Sequence, residues 1–310
     1  MRYEILRQVM GNTWVLEARE LIPVYFLNEE HTEAILLDSG LAVPDREMLE
    51  DWIRETMVRI RAVICTHAHR DHCGNNRWLK ETQGAEIFMN EIENCAGSFY
   101  PMFSRYYNNI PAKELENYLP ELTVKADRCF TFADRQVEVE GNVFGLIPLP
   151  GHTPGHTGIV TPDGVCYAAD AVMSEDVMRR AKLPSDDDWA EAENSRNKLA
   201  ETDYPWYIAA HKEVYRVDEM KKVTEANHRD RLERIRVLLG LLEDGRSYTR
   251  EEIIRLMWKQ LDLHIHDGMK MLIFNRNLEC LLQYLTDSGR LEREYSQGVA
   301  AFRKTGLFPG

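Results

Sequence analysis

No uninterrupted apolar run in the 310 residues approaches the roughly 18 to 20 needed to span a bilayer. That excludes a transmembrane helix as an organising element. The first twenty residues, MRYEILRQVMGNTWVLEARE, carry charges throughout and lack the apolar stretch of a secretory signal. A cytoplasmic location is the expectation. No C-x-x-C pair occurs among the six cysteines, at 65, 73, 95, 129, 166 and 280, so neither a zinc ribbon nor a dithiol redox motif is present. Reduced, mostly buried thiols are expected. No internal repeat or low-complexity tract is found. Positive charge is also scarce. Lys and Arg number 38 against 51 Asp and Glu, for a net charge of -13. Such a chain repels a phosphate backbone unless its cations are concentrated locally.

What is present is an apolar content of 44%, enough for a sizeable core. Runs such as TWVLEA, IPVYFLN and EAILLDSG read as strands. DREMLEDWIRETM follows as an amphipathic helix, with Met48, Leu49, Trp52, Ile53 and Met57 at helical spacing. IRAVICTH is a buried strand, NRWLKETQG a helix ending at Gly84, and AEIFMN another strand. A second β-rich half runs from CFTF through QVEVEG, VFGLIPLPG and TGIVTPDG to VCYAAD. Residues 184 to 201 read as a surface helix, with Asp186, Asp187 and Asp188 near its start and Lys198 near its end, as suits the helix dipole. WYIAAH is one more strand. This alternation argues for an α/β layered fold.

The character changes near residue 227. HRDRLERIRVLLGLLEDG places Leu232, Ile235, Leu238, Leu239 and Leu242 on one helical face. A second helix opens with a capping box, Thr249 with Glu252. A third presents Phe274, Leu278, Leu281 and Leu285, and a hairpin turns near Gln297 and Gly298. Together these predict a catalytic domain over residues 1–226 and a small winged-helix-like domain over 227–310.

The densest chemistry lies in CTHAHRDHCG, Cys65 to Gly74. His67 and His69 are two apart at a strand end, where alternate residues share a side and can grip one ion. Asp71 and His72 follow in the loop beyond and can turn toward a second ion. Imidazole with carboxylate suits zinc, iron, manganese or nickel. One cluster cannot fill two coordination shells. His152 and His156 in PLPGHTPGHTG, Asp170 in VCYAADAV and His211 in YIAAHKE are the remaining candidates, each where an apolar strand meets a loop. His31 falls in a polar turn, His228 at the start of a tail helix, and His264 and His266 in an exposed loop.

In the order LLDSG, THAHRDHCG, PLPGHTPGHTG, YAADAV and AAHKE, the sequence resembles the metallo-β-lactamase-fold superfamily, and within it the glyoxalase II-like hydrolases. The tail resembles the branch that includes the β-lactamase-like protein 2 ribonucleases. The resemblance implies a four-layer αββα sandwich followed by the winged helix. It implies that His67, His69 and His152 hold a first metal, that Asp71, His72 and His211 hold a second, and that Asp170 bridges them. Asp38 would support the histidine loop from behind the ligands, and His156 would be supporting or structural. Two divalent ions, foremost zinc, would then share a hydroxide, with Asp71 the candidate acid/base.

The expected activity is hydrolysis of a small ester, thioester or lactone. A metal-dependent ribonuclease and a mononuclear-iron persulfide dioxygenase, using His67, His152 and Asp170, are the alternatives. A non-catalytic regulator is a more distant one. Residues 228–310 carry 14 Lys and Arg against 12 Asp and Glu, and the third tail helix offers only Lys270 and Arg276, weak material for a phosphate track. Partners are therefore expected to be a small-molecule substrate and at most a second copy of the chain, with nucleic acid weakly supported and no membrane. The aromatic insert with Phe99, Tyr100, Phe103, Tyr106 and Tyr107 reads equally well as a lid over the site and as a segment packed on its own sheet.

Overall fold

The computed structural model describes residues 5–98, 125–211, 213–266, 268–296 and 298–306. The aromatic insert lies outside the described residues. The first sheet has strand order β1 to β7 in sequence: β1 (Leu6–Met10), β2 (Thr13–Glu17), β3 (Leu21–Phe26), β4 (Glu33–Leu37), β5 (Arg59–Ile64), β6 (Glu86–Asn90) and β7 (Arg128–Phe130). The first four pair antiparallel and the last four parallel. Parallel pairing requires crossovers. Helices α1 (Ala42–Thr56), α2 (Arg70–Cys73) and α3 (Asn76–Gln83) provide two of them, and α4 (Glu91–Ser98) follows β6. The second sheet runs, in spatial order, β13 (Glu213–Arg216), β12 (Trp206–Ala209), β11 (Val165–Tyr167), β10 (Thr157–Val160), β9 (Asn142–Pro148) and β8 (Gln136–Val139).

Period-two alternation separates the layers. Val15, Tyr25, Ile35, Leu37 and Ile64 point between the sheets, where they meet Phe144, Leu146, Ile159, Val165, Tyr167 and Ile208. Their neighbours Leu16, Val24, Leu36 and Val63 point the other way, onto Leu49 and Trp52 of α1 and Leu79 of α3. On the far side Cys166, Tyr207 and Ala209 meet Leu199 and Met220. Those two belong to α6 (Trp189–Ala200) and α7 (Val217–Leu241). Helix, sheet, sheet, helix is therefore a consequence of strands buried on both faces. Each fully buried aliphatic side chain contributes about 1.5–3 kcal/mol by leaving water. Among the described residues no helix is long and apolar enough to cross a membrane.

Several local expectations change. Met57 is not on the buried face of α1. It forms the left-handed cap of that helix, with φ 58°, and is 78% exposed. Leu232 is also exposed, while Ile235, Leu238, Leu239 and Leu242 are buried. The helix carrying them begins at Val217, ten residues before the composition changes, and runs through 226 and 227 unbroken. His228 therefore lies inside it, paired with Glu193. His31 stacks on Phe26, ring centroids 4.0 Å apart. The cysteines are all free thiols, but only Cys65, Cys73 and Cys166 are buried.

Helix α6 is more than a surface helix. Asp188 caps it, accepting from the Ala190 and Glu191 amides. Ser195 Oγ and Lys198 Nζ each donate to a carbonyl of the strand-to-loop passage after β9, at Pro150 and Pro148, both 2.6 Å. Gly151, with φ +130°, lies directly beneath the start of the helix, and a Cβ there would fall 2.2 Å from the Ala192 amide nitrogen. The tail continues with β14 (Ser247–Thr249), α8 (Arg250–Gln260), α9 (Gly268–Asp287), β15 (Leu291–Ser296) and β16 (Val299–Lys304), in a sheet of order β14-β16-β15. The Thr249–Glu252 capping box is present, and Phe274, Leu278, Leu281 and Leu285 are buried. Gly151→Ala combines a backbone clash with a strained φ. It should lower unfolding stability by about 1–3 kcal/mol in urea titration, and unchanged stability would show that α6 does not rest on this loop.

Candidate metal centre

Strand β5 ends at Ile64, so His67 and His69 lie beyond it, in the turn entering α2. They meet not by strand alternation but because His69 is the N-cap of that helix. The one-turn helix is held down by backbone bonds from Ser39 N to His72 O (2.6 Å) and from Gly74 N to Gly40 O (3.0 Å). Gly74 is needed for this close approach. A Cβ there would lie 2.5 Å from both the Ala42 nitrogen and the Arg70 carbonyl.

Two groups of ligand atoms result. His67, His69 and His152 form the first, and His67, His72 and Asp170 the second. His69 Nδ1 is 3.0 Å from both His67 Nε2 and His152 Nε2. Asp170 Oδ2 lies 3.4 Å from His152 Nε2 and 3.5 Å from His72 Nε2, so it faces both groups. Asp170 Oδ1 is 3.4 Å from His211 Nε2. Asp71 stands in the first turn of α2, half-buried, and belongs to neither group. His156 is fully buried against the His67 and His152 rings, at centroid distances of 5.0 and 5.9 Å, with both ring nitrogens lacking hydrogen bonds. The exposed His264 pairs with Asp262, in the tail.

The outward nitrogens are fixed from behind. His72 Nδ1 donates to Asp38 Oδ2 at 2.8 Å, His152 Nδ1 to the Ser185 carbonyl at 2.6 Å, and His211 Nδ1 to Glu20 at 2.6 Å. His67 Nδ1 sits 3.0 Å from Thr66 Oγ1, which in turn donates to Asp38 at 2.7 Å. Each contact commits Nδ1 as donor and leaves Nε2 for the centre. Asp38 also accepts from the Thr66 amide and from Tyr167 OH, both at 2.8 Å. Glu93, buried beside the site, accepts from the Ala68 amide (2.8 Å) and the Gly155 amide (2.7 Å), tying the first histidine loop to the second. Thr66, Glu93, Tyr167, Glu20 and Ser185 were not legible as site residues. Nothing in their spacing marks them, and only the packing of strand ends brings them together.

Charge is arranged asymmetrically. Burial, then the neighbouring imidazoles, hold His67, His69 and His156 well below the ordinary histidine value. Burial also opposes charge on His72, but Asp170 and Asp38 outweigh it and raise that ring well above the ordinary value. At His211 burial is likewise the largest single influence, yet Asp170 and Glu20 together lift it to about 10. Asp170 itself, despite burial, is held well below the carboxylate range by His72 and His211. Burial first, and then Asp38, Asp71 and Glu93, push the Cys73 thiol upward; it donates instead to the His69 carbonyl at 3.1 Å.

A metal fits these residues. His72 Nε2 and Asp170 Oδ1 are buried without hydrogen bonds, which is costly unless something charged completes them. Three imidazole nitrogens converging at 3.0 Å, two of them acceptor-only, cannot all satisfy one another.

A family model described as the Metallo-beta-lactamase superfamily matches residues 19–211. The chain is 26% identical over 188 residues to the hydroxyacylglutathione hydrolase GloC of Haemophilus influenzae, covering 58% of this chain and 83% of that protein. It is 26% identical over 155 residues to a hydroxyacylglutathione hydrolase of Photobacterium profundum, covering 49% of this chain and 47% of that one. Among solved structures, a metallo-beta-lactamase family protein from Thermus thermophilus superposes with TM-score 0.67 at 20% identity, covering 97% of each chain. A beta-lactamase domain protein from Burkholderia ambifaria gives 0.69 at 19% identity, over 97% and 94%. These two share the fold.

Asp38→Ala would strand four buried donors, on Thr66, His72 and Tyr167. It should weaken metal binding by roughly 10–100-fold, measured by chelator competition. A pH effect follows from His211. Its raised value stabilises the metal-free fold fully below 6.5, and that stabilisation is lost as pH rises through about 10. An ion requires the neutral ring. The Tm increase on adding metal should therefore be larger at pH 9 than at pH 6.5, and a flat difference would exclude His211 as a ligand.

Proposed function

The chain belongs to the metallo-beta-lactamase superfamily, and from that premise we propose that it hydrolyses a small-molecule thioester, ester or lactone at a two-metal centre. The observation that carries this reading is the convergence of His67 Nε2, His69 Nδ1 and His152 Nε2 beside a carboxylate, Asp170, that faces a second histidine set. His67, His69 and His152 would hold one ion; Asp71, His72 and His211 would hold the other, with Asp170 between them. Zinc is the foremost candidate, and iron, manganese or nickel also suit this donor set. When bound, the ions supply Lewis acidity and a water acidified toward neutral pH.

The chain's own groups do the rest. Asp38 and Thr66 hold His67 and His72 in one tautomer, Ser185 does so for His152, and Glu20 for His211. Asp71, outside both triads, is the candidate to accept and return the proton as the leaving group departs. Ile92 of α4 is 41% exposed and packs against Gly155 of the His152–His156 loop, an apolar edge suited to an acyl group. The names of two relatives, hydroxyacylglutathione hydrolases, support trying thioesters first.

The alternatives have less support. A single-iron dioxygenase would leave His72 and His211 without purpose. A ribonuclease needs free cations on the tail. There Arg276 pairs with Asp187, Arg250 with Glu279, and Arg303 with Glu292 and Glu294. The tail's order of helix, strand, two helices and two strands, with β16 between β14 and β15, supports the winged-helix reading without supplying a phosphate track.

Metal analysis of the purified protein should find up to two ions per chain. A panel of hydroxyacylglutathione thioesters, lactones, phosphodiesters and single-stranded RNA should show turnover among the acyl substrates. His152→Ala should cost more activity than the roughly 10–100-fold typical of losing a residue behind the ligands. Turnover of RNA alone, abolished by His67→Ala, would transfer the assignment to a nuclease.

A further inference from the structure

The segment Lys182 to Asp188, which joins α5 (Glu175–Ala181) to α6, has two opposite attachments. Its ends belong to the tail. Leu183 and Trp189 are buried in the tail's own apolar cluster with Ile235, Leu238, Leu278 and Leu281. Asn277 of α9, itself buried, donates from Nδ2 to the Leu183 carbonyl at 3.2 Å. Arg276, one residue earlier, pairs with Asp187. Arg231 of α7 donates to the Trp189 carbonyl, and its guanidinium lies over the Trp189 and Tyr284 rings, 5.2 and 4.4 Å from their centroids.

Ser185, Asp186 and Asp188 of the same segment hold the surroundings of the metal centre. The Ser185 carbonyl receives the His152 Nδ1–H at 2.6 Å, and the Asp188 amide donates to the Gly151 carbonyl at 3.0 Å. Asp186 pairs with Arg196 at 2.8 Å, both buried, and Arg196 Nε donates to the Ala171 carbonyl at 3.0 Å, one residue from Asp170. Leu183 and Ser185 are two residues apart, a reach of at most about 7 Å. A segment this short cannot be held by the tail at its ends and move freely at its centre.

We infer that the C-terminal unit positions His152 for metal through this segment, with Asn277 as a positioning residue. The inference rests on the metal-centre reading above but adds to it. The tail then serves as part of the scaffold for a ligand rather than as an appended module. Coupling of this kind is reciprocal, so an ion at the first group should in turn tighten the packing of the tail.

The test is Asn277→Ala in the full chain, beside Ile253→Val. The second variant removes one methyl from the same apolar cluster at α8, away from the segment. Two readouts are taken. Hydrogen exchange of metal-free protein follows peptides covering residues 150–153 and 183–190. Chelator competition gives the zinc Kd. Asn277→Ala is expected to speed exchange in both peptides and to raise the Kd by about tenfold, the lower end for a residue behind the ligands. Ile253→Val should do neither. Unchanged exchange in Asn277→Ala, faster exchange with an unchanged Kd, or equal effects in both variants would each overturn the inference. Wild-type protein that binds no zinc would sink the metal-centre reading instead. The exchange experiment, run without metal, would still decide whether the tail holds the segment.

Discussion

One carboxylate, that of Asp38, is taken almost wholly out of water and surrounded by donors from three directions. Burying such a charge costs several kcal/mol unless its lone pairs are filled. Here the Thr66 amide and hydroxyl, the His72 ring and the Tyr167 hydroxyl fill them. Thr66 belongs to the first sheet's loop and Tyr167 to a strand of the second sheet, so the same group joins both layers. The backbone accommodates it at some expense. Asp38 has φ 64°, in the left-handed region where Asp is among the few residues tolerated. Ala169, just before Asp170, is likewise left-handed at φ 46° and lacks that excuse. Strain concentrated on both sides of one centre is what a site requires when its geometry outranks local preference.

From that hub the two groups of candidate ligands acquire different characters. Around His67 and His69, burial and mutual repulsion among rings keep the imidazoles neutral, already in the form that binds a cation. Around Asp170 the rings of His72 and His211 are drawn toward the protonated state by carboxylates. His67 and His69 would meet an ion already neutral, whereas His72 and His211 would release protons to do so. Neighbouring rings in one cavity thus differ in their proton chemistry because of what stands behind them. The residues behind them, Asp38, Glu20, Thr66 and Ser185, come from four separate stretches of chain.

The legibility of the molecule follows the same division. The histidine and aspartate candidates stood out because coordination limits residue type and places ligands at strand ends. The succession of strand and helix patterns gave an α/β layered fold, whereas the four-layer order was implied only by the family resemblance of the motifs. What could not be seen was whatever depends on partners distant in sequence. Glu93 is an ordinary acid in NEIEN until folding sets it against Ala68 and Gly155. Asp186 and Asp187 read as dipole partners for α6, but Arg196 and Arg276 claim them. Leu232 and Met57 have helical spacing yet face solvent, because periodicity identifies a face without identifying its neighbour. The long α7 hid its start, since its first half packs on the sandwich and its second on the tail, and the change of character near residue 227 falls inside the helix rather than at its beginning.

The chain order of the candidate ligands carries a consequence for biogenesis. They emerge from the ribosome as a compact group at 67 to 72, then at 152, 170 and finally 211. The sandwich that gathers them pairs strands distant in sequence, a slow step relative to helix formation. Between residues 72 and 152, therefore, only a short histidine-rich loop is available, able to catch stray ions but unable to enclose them. The full set closes just before α7 begins, and the elements that grip the Ser185 segment follow later still. Enclosure of an ion at this centre would thus wait until both histidine loops and the strand leading to His211 have been made.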